Sequence, residues 1–122
     1  MRKSLALALL FLVLAGCVSQ PKPGANQIPI KLIINFSGYS QEFDVNVSEN
    51  SSAFDALKKV ILVDYTDYPG AGLFINKMGN VSNSKDRYWM FYVNGTLANV
   101  GVSSYVINQS VVIEMRYEKP SW

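Results

Sequence analysis

From Ile30 onward apolar and polar positions alternate. Ile30, Leu32, Ile34 and Phe36 are interleaved with Lys31, Ile33 and Asn35, the period-two pattern of a strand with one buried face. Ser37-Gly38-Tyr39-Ser40 reads as a turn. Phe43, Val45 and Val47 then alternate with Glu42, Asp44 and Asn46, so the two runs predict a hairpin. After that the period changes. Phe54, Leu57 and Ile61 stand at i, i+3 and i+7, which predicts an amphipathic helix over 53–63. Ser51 or Ser52 can cap its start, with Asp55 in the first turn where the helix dipole favours an anion. Tyr68-Pro69-Gly70-Ala71-Gly72 closes this region, Leu73-Phe74-Ile75 predicts a short strand, and the Asn- and Ser-rich residues 76–87 predict a loop.

The run Tyr88 to Val93 is an aromatic strand that ends in Asn94-Gly95, a strong short-range hairpin pattern. Trp89, Phe91 and Val93 share one face; Tyr88, Met90 and Tyr92 share the other. A sheet covered by one helix buries one face only. Trp89 and Phe91 are therefore assigned to the core, and Tyr88 and Tyr92, with Ile33, to the open face, where a phenol is at ease with its tip in water. Leu97 to Val100 predicts a return strand, Gly101 to Tyr105 a corner, and Val111, Ile113, Met115 and Tyr117 the last strand. One helix between hairpins predicts an α+β fold: a β-grasp-like mixed sheet of four to five strands with one helix packed on one face.

The N-terminus follows another logic. Arg2 and Lys3 precede an apolar run from Leu5 to Gly16, too short for a spanning helix and suited to a signal peptide. It ends in Leu14-Ala15-Gly16-Cys17, the lipobox pattern of secreted lipoproteins. The expected organisation is thus a signal peptide over 1–16, a lipidated Cys17 with a Pro- and Gly-punctuated tether over 17–28, and a folded domain over 29–122. The alternative is a short membrane anchor with an incidental Cys. With a lipid on Cys17 the chain is expected on the extracellular face of the cell membrane, lipid-anchored.

Charge and composition then narrow the function classes. The 122 residues contain eleven Lys and Arg against nine Asp and Glu, but Arg2 and Lys3 lie in the leader, so the remainder is neutral and a nucleic-acid-binding surface is not expected. With no His and a single Cys, neither an intrachain disulfide nor a Cys/His zinc site nor a His-based catalytic arrangement can form. Asp64 and Asp67 lie in a predicted loop without the Gly spacing of a calcium loop. Ser51 and Ser52 have no His to activate them, and a dyad with Lys58 has nothing to favour it over a helix cap. A non-enzyme is expected, with no cofactor and no metal.

Six of the ten Asn stand in Asn-x-Ser/Thr: Asn35, Asn46, Asn50, Asn80, Asn94 and Asn108. With fifteen Ser and Thr in the chain, chance placement gives about one such motif. All six fall on predicted outward faces, loops or turns, as a glycan requires. Turn-rich β proteins also collect Asn and Ser, which is the competing explanation. A lipobox together with N-glycosylation fits an archaeal cell surface better than a bacterial one.

Tyr88-Trp89-Met90-Phe91-Tyr92-Val93-Asn94-Gly95, the Gly101-Val102-Ser103-Ser104-Tyr105 corner and the Val111–Tyr117 strand together resemble the C-terminal small domain of the transcobalamin and intrinsic factor family, and related prokaryotic surface domains. Ser52-Ala53-Phe54-Asp55-Ala56-Leu57 resembles that family's helix start, and Gly72-Leu73-Phe74-Ile75 with Met78-Gly79 another of its segments. The resemblance spans about residues 30–122. It implies a non-enzymatic β-grasp module whose relatives cover one face of cobalamin. Carried over, the contacting loop is Asn94 to Asn99, with Leu97, Ala98 and Asn99 as ligand contacts and Phe74 and Trp89 beside them. The large helical domain that completes the clamp in those relatives has no counterpart in these residues, so weaker binding is implied. Two readings remain. One is a lipid-anchored module that binds a corrinoid or another soluble ligand and delivers it to a transporter. The other is a structural or adhesive glycosylated surface module that contacts proteins.

Overall fold

The computed structural model describes residues 26–121. The expected signal peptide, Cys17 and the expected tether up to Ala25 lie outside the described residues. The protein is mostly β-sheet with one short helix among those residues. Its main sheet has five strands in the order β2 (Ser40–Ser48), β1 (Gln27–Asn35), β10 (Val112–Glu118), β7 (Tyr88–Val93) and β8 (Thr96–Leu97). β1 and β10 are parallel and every other neighbouring pair is antiparallel, so the sheet is mixed. Two smaller sheets complete the molecule: β3 (Ser51–Ser52) with β9 (Val106–Ile107), and β4 (Val63–Tyr68), β5 (Gly72–Met78) and β6 (Val81–Ser82). None of the described helices is long and apolar enough to cross a membrane.

The predicted faces hold in the main sheet. Ile30, Leu32 and Ile34 of β1, Trp89 and Phe91 of β7, and Ile113 and Met115 of β10 are buried. Ala53, Phe54, Ala56 and Leu57 of the helix α1 (Ala53–Lys58) join them in one core. On the opposite face Tyr88, Met90, Tyr92 and Ile33 are half-buried rather than exposed. Their cover is largely polar: the Arg116 guanidinium lies 3.7 Å over the Tyr92 ring and pairs with Glu114 at 3.0 Å, while the Tyr92 hydroxyl donates to Glu118. That last hydrogen bond, which stabilises the protonated phenol beside a carboxylate, pushes the Tyr92 pKa up.

Several elements differ from expectation. β1 begins at Gln27, two residues before the expected Pro29 boundary. The helix ends at Lys58 instead of 63. Lys59 and Val60 donate to carbonyls three residues back, a tightened turn that closes the helix, and β4 begins at Val63. Ile61 still reaches the core from this turn, and a Cβ on Gly79 (φ +58°) would lie 3.3 Å from its Cδ1. Asp64 and Asp67 therefore sit on a strand, not in a loop. β4 is hard to read because a register shift between Asp64 and Tyr65 breaks its alternation, leaving Val63 and Thr66 as its half-buried residues. β5 continues to Met78 and β6 comes next, so the predicted 76–87 loop is partly strand. The return strand is only Thr96–Leu97, not Leu97 to Val100.

Of the two candidate caps, Ser52 takes the role. Its side chain accepts from the Asp55 N–H at 3.0 Å, and the Asp55 carboxylate accepts from the Ser52 N–H at 3.0 Å. This capping box holds the Asp55 pKa below its ordinary 3.8, chiefly through the Ser52 backbone N–H. A depressed carboxylate pKa contributes stability that is fully present above 3.8 and is lost as pH falls through the lower folded value. Ser52→Ala is expected to cost about 1 kcal/mol in urea melts at pH 7. A change within ~0.3 kcal/mol would show that the box adds nothing to the helix.

Candidate functional site

The site is built outward from the β7–β8 hairpin. Asn94 and Gly95 have φ of +49° and +84°, the two left-handed positions of a type I′ turn, as the Asn-Gly pair predicts. The Asn94 N–H donates to the Val112 carbonyl at 2.8 Å, and its Oδ1 accepts from the Val112 N–H at 3.0 Å, so the turn is tied to the start of β10. Past β8 the chain folds back, and the Ala98 N–H donates to the Phe91 carbonyl at 2.9 Å. The Gly101–Tyr105 corner then docks on α1: Ala53 and Phe54 donate their N–H groups to the carbonyls of Tyr105 and Val102, both at 3.0 Å. Orphan donors at the helix start are satisfied in this way, and the Tyr105 ring meets Phe91 edge-on at 5.8 Å.

These constraints leave a concavity of about 310 Å³ lined by Val93, Thr96, Leu97, Ala98, Asn99, Val100 and Tyr105. Leu97, Ala98 and Asn99 are thus brought together. No lining side chain carries a formal charge; the surface is apolar, with the Thr96 and Tyr105 hydroxyls and the Asn99 amide as its polar groups. Leu97 and Val100 are about half exposed, which is where an apolar ligand surface would gain contact. A larger concavity of about 570 Å³ lies among the start of β1, the later part of β2, the start of β10 and Asn94.

Two expected contacts are not in the site. Trp89 is 7% exposed; its indole N–H donates to the Val81 carbonyl at 2.9 Å and its ring meets Phe36 edge-on at 5.5 Å, so it is a core residue. Phe74 is exposed on β5, paired with Thr66 of β4, and does not line the concavity. Thr96 joins the lining from within the expected Asn94–Asn99 loop, and Val93, Val100 and Tyr105 join it from outside that loop; the hairpin pattern and the Gly101–Tyr105 corner are the signals that could have found them. Asn83 carries a structural role with no sequence signal. It accepts from the Trp89 N–H at 3.0 Å and donates to the Ile75 carbonyl at 2.8 Å, joining the loop before β7 to β5.

The sequence motifs for glycans also divide. Asn46, Asn50, Asn80, Asn94 and Asn108 are exposed as expected, but Asn35 is half-buried. Its Oδ1 accepts from the Ser37 N–H and its Nδ2 donates to Glu114. Among the described residues no three His, Cys, Asp or Glu side chains gather into a metal-binding group, and Asp64 and Asp67 find no third donor on the strand they share.

A family model described as a domain of unknown function, DUF4430, matches residues 50–119. No curated protein matches the chain in sequence. Among solved structures, a candidate metal-binding protein from Ruminococcus gnavus is similar at a TM-score of 0.68 and 16% identity, over 76% of this chain and 98% of that one. Haptocorrin in complex with Cbi is similar at 0.70 and 16% identity, over 84% of this chain and 27% of that one. The chain therefore spans about a quarter of haptocorrin's length. At such identities the likeness establishes a shared fold.

Proposed function

The chain belongs to the DUF4430 family of domains of unknown function, and we propose that it is a non-enzymatic ligand-binding module of β-grasp type. The observation that carries this reading is the uncharged concavity around Leu97, Ala98 and Asn99, on a fold shared with a protein bound to Cbi. The ligand we propose is a corrinoid, or another soluble molecule with a broad apolar face. At about 310 Å³ the concavity is at the lower end of the size of small-molecule sites, so it accepts one edge or face of such a ligand. A ligand covered on one side gains fewer contacts than one held between two proteins, so we expect binding no tighter than about micromolar unless a second protein covers the rest. A lipid on Cys17 would hold the module at the extracellular face of the membrane, where a transporter can receive the ligand.

The test is calorimetric titration of the full chain in detergent with hydroxocobalamin and with cobinamide. Saturable heat at micromolar ligand supports the proposal. Absence of heat at ~100 µM ligand, where a binding free energy of about −5.5 kcal/mol still registers, sinks it. The surface-adhesion reading would then lead, favoured by the exposed Tyr68 and Phe74 on the β4–β5 sheet.

A further inference from the structure

Among the described residues one strand edge is both long and uninterrupted. β3, β6, β8 and β9 have two residues each, and β4 is broken by its register shift. β2 closes the main sheet with nine residues in unbroken register with β1, and it contains no Pro, no Lys and no bulge, the usual guards of an edge. The direction of its backbone groups follows from its two ends. Glu49 donates its N–H to the Asn26 carbonyl and Phe36 donates its N–H to the Tyr39 carbonyl, so the alternating ladder turns Gln41, Phe43, Val45 and Val47 toward β1. Glu42, Asp44, Asn46 and Ser48 turn their backbone groups away, to an edge where no strand of this chain meets them. The side chains divide in the same register. Phe43 and Val45 are half-buried at the margin of the core, beside the buried Val47, while Glu42, Asp44 and Asn46 are exposed.

We propose that β2 is the interface with a second copy of this chain, the two strands pairing antiparallel about a two-fold axis at Val45. Only registers that set outward residues against outward residues can form hydrogen bonds. An axis at Asp44 places that carboxylate opposite itself, and one at Phe43 places Glu42 opposite Asp44; like charges directly opposed are unfavourable. An axis at Asn46 carries Glu42 past the end of the strand to Asn50 and sets Phe43 against Glu49. The axis at Val45 has none of these defects. Asp44 of one copy meets Asn46 of the other and Glu42 meets Ser48, giving four hydrogen-bonded pairs of two bonds each across the seam with no like charges opposed. Val45 meets itself and Phe43 meets Val47, so the apolar row runs on from one core to the other. The edge is thus self-complementary, as a closed two-fold interface requires. Pairing doubles the five-stranded sheet and leaves the Leu97 concavity free, because β8 is at the far edge.

The test is analytical ultracentrifugation of the full chain in density-matched detergent, with Asn46→Lys and Asn46→Asp. A reversible dimer is expected, about fivefold tighter in Asn46→Lys, where each new ammonium faces Asp44, and about fivefold weaker in Asn46→Asp, where carboxylates oppose each other twice. Both variants remove the Asn46 motif alike, so a sugar cannot account for a difference between them. Val45→Cys should also give a disulfide-linked dimer under mild oxidation, since opposed residues of a non-hydrogen-bonded pair stand about 4.5 Å apart at Cα. Ser48→Cys should bridge no more than the unsubstituted chain, whose one thiol is Cys17, because Ser48 faces Glu42 and lies roughly 20 Å from its own copy. Monomers in every form at ~100 µM, the same shift in both Asn46 variants, or equal bridging at positions 45 and 48 overturns the proposal. A chain that stays monomeric leaves the β2 edge to a strand of another protein.

Discussion

Trp89→Ala is expected to destabilise the domain by about 3–5 kcal/mol, the largest single-site effect we anticipate. The ring is 7% exposed and packs against Phe36 and, at 5.3 Å and a tilted angle, Tyr117. Truncation opens a cavity the size of an indole and leaves the Val81 carbonyl without the donor it now has at 2.9 Å. Since a domain of this size holds only ~5–15 kcal/mol in total, the variant should melt far lower in urea and lose a large part of its margin. Trp89→Phe separates the contributions: it keeps most of the packing and loses the hydrogen bond, so about 1–2 kcal/mol is expected. A Trp89→Ala loss under ~1 kcal/mol would show that the β7 faces are reversed.

The second large effect concerns binding. Leu97 is about half exposed at the mouth of the concavity, so a ligand that covers it removes apolar surface from water at roughly 25 cal/mol per Å². Leu97→Ala is expected to weaken corrinoid binding about tenfold, close to 1.4 kcal/mol. Stability should change by about 1 kcal/mol or less, because only about half of the residue is buried in the free protein. Leu62→Ala is the control, an exposed leucine that does not line the concavity. Equal loss of affinity in both variants, or none in Leu97→Ala, would place the ligand elsewhere.

The parts of the fold that sequence reading recovers are those where one local rule acts alone. β7 and its turn come from aromatic alternation ending in Asn-Gly, and β1 and β10 from uninterrupted period-two runs. Where two rules compete, the reading fails. Ile61 fits the helical stripe, yet the chain has already left the helix and delivers Ile61 to the core from a turn beside Gly79. β4 hides behind its register shift and two Asp residues. The site shows the same division. The resemblance points to Leu97, Ala98 and Asn99, which are contiguous, whereas Tyr105 reaches the concavity only because its corner docks on the helix start. Trp89 enters the expected site through its motif, although its partners, Phe36 and Val81, draw it into the core from outside its own strand. Alternation places the tyrosines of β7 on the face opposite the helix, but it says nothing of the Arg116 guanidinium that covers Tyr92 from the neighbouring strand.

The parallel pairing of β1 with β10 has a consequence for how the chain becomes a protein. Lys31 to Asn35 meet Val112 to Arg116, so the centre of the sheet joins the first and last strands of the domain. Closing a loop of some eighty residues comes at an entropic cost before any contact returns it, and such topologies fold slowly. A nascent chain emerging N-terminus first can form the β1–β2 hairpin early, but β1 keeps its other edge unpaired until β10 has been made. The centre of the sheet therefore closes only when β10 arrives, and during that interval the free edge of β1 is open to pairing with other chains.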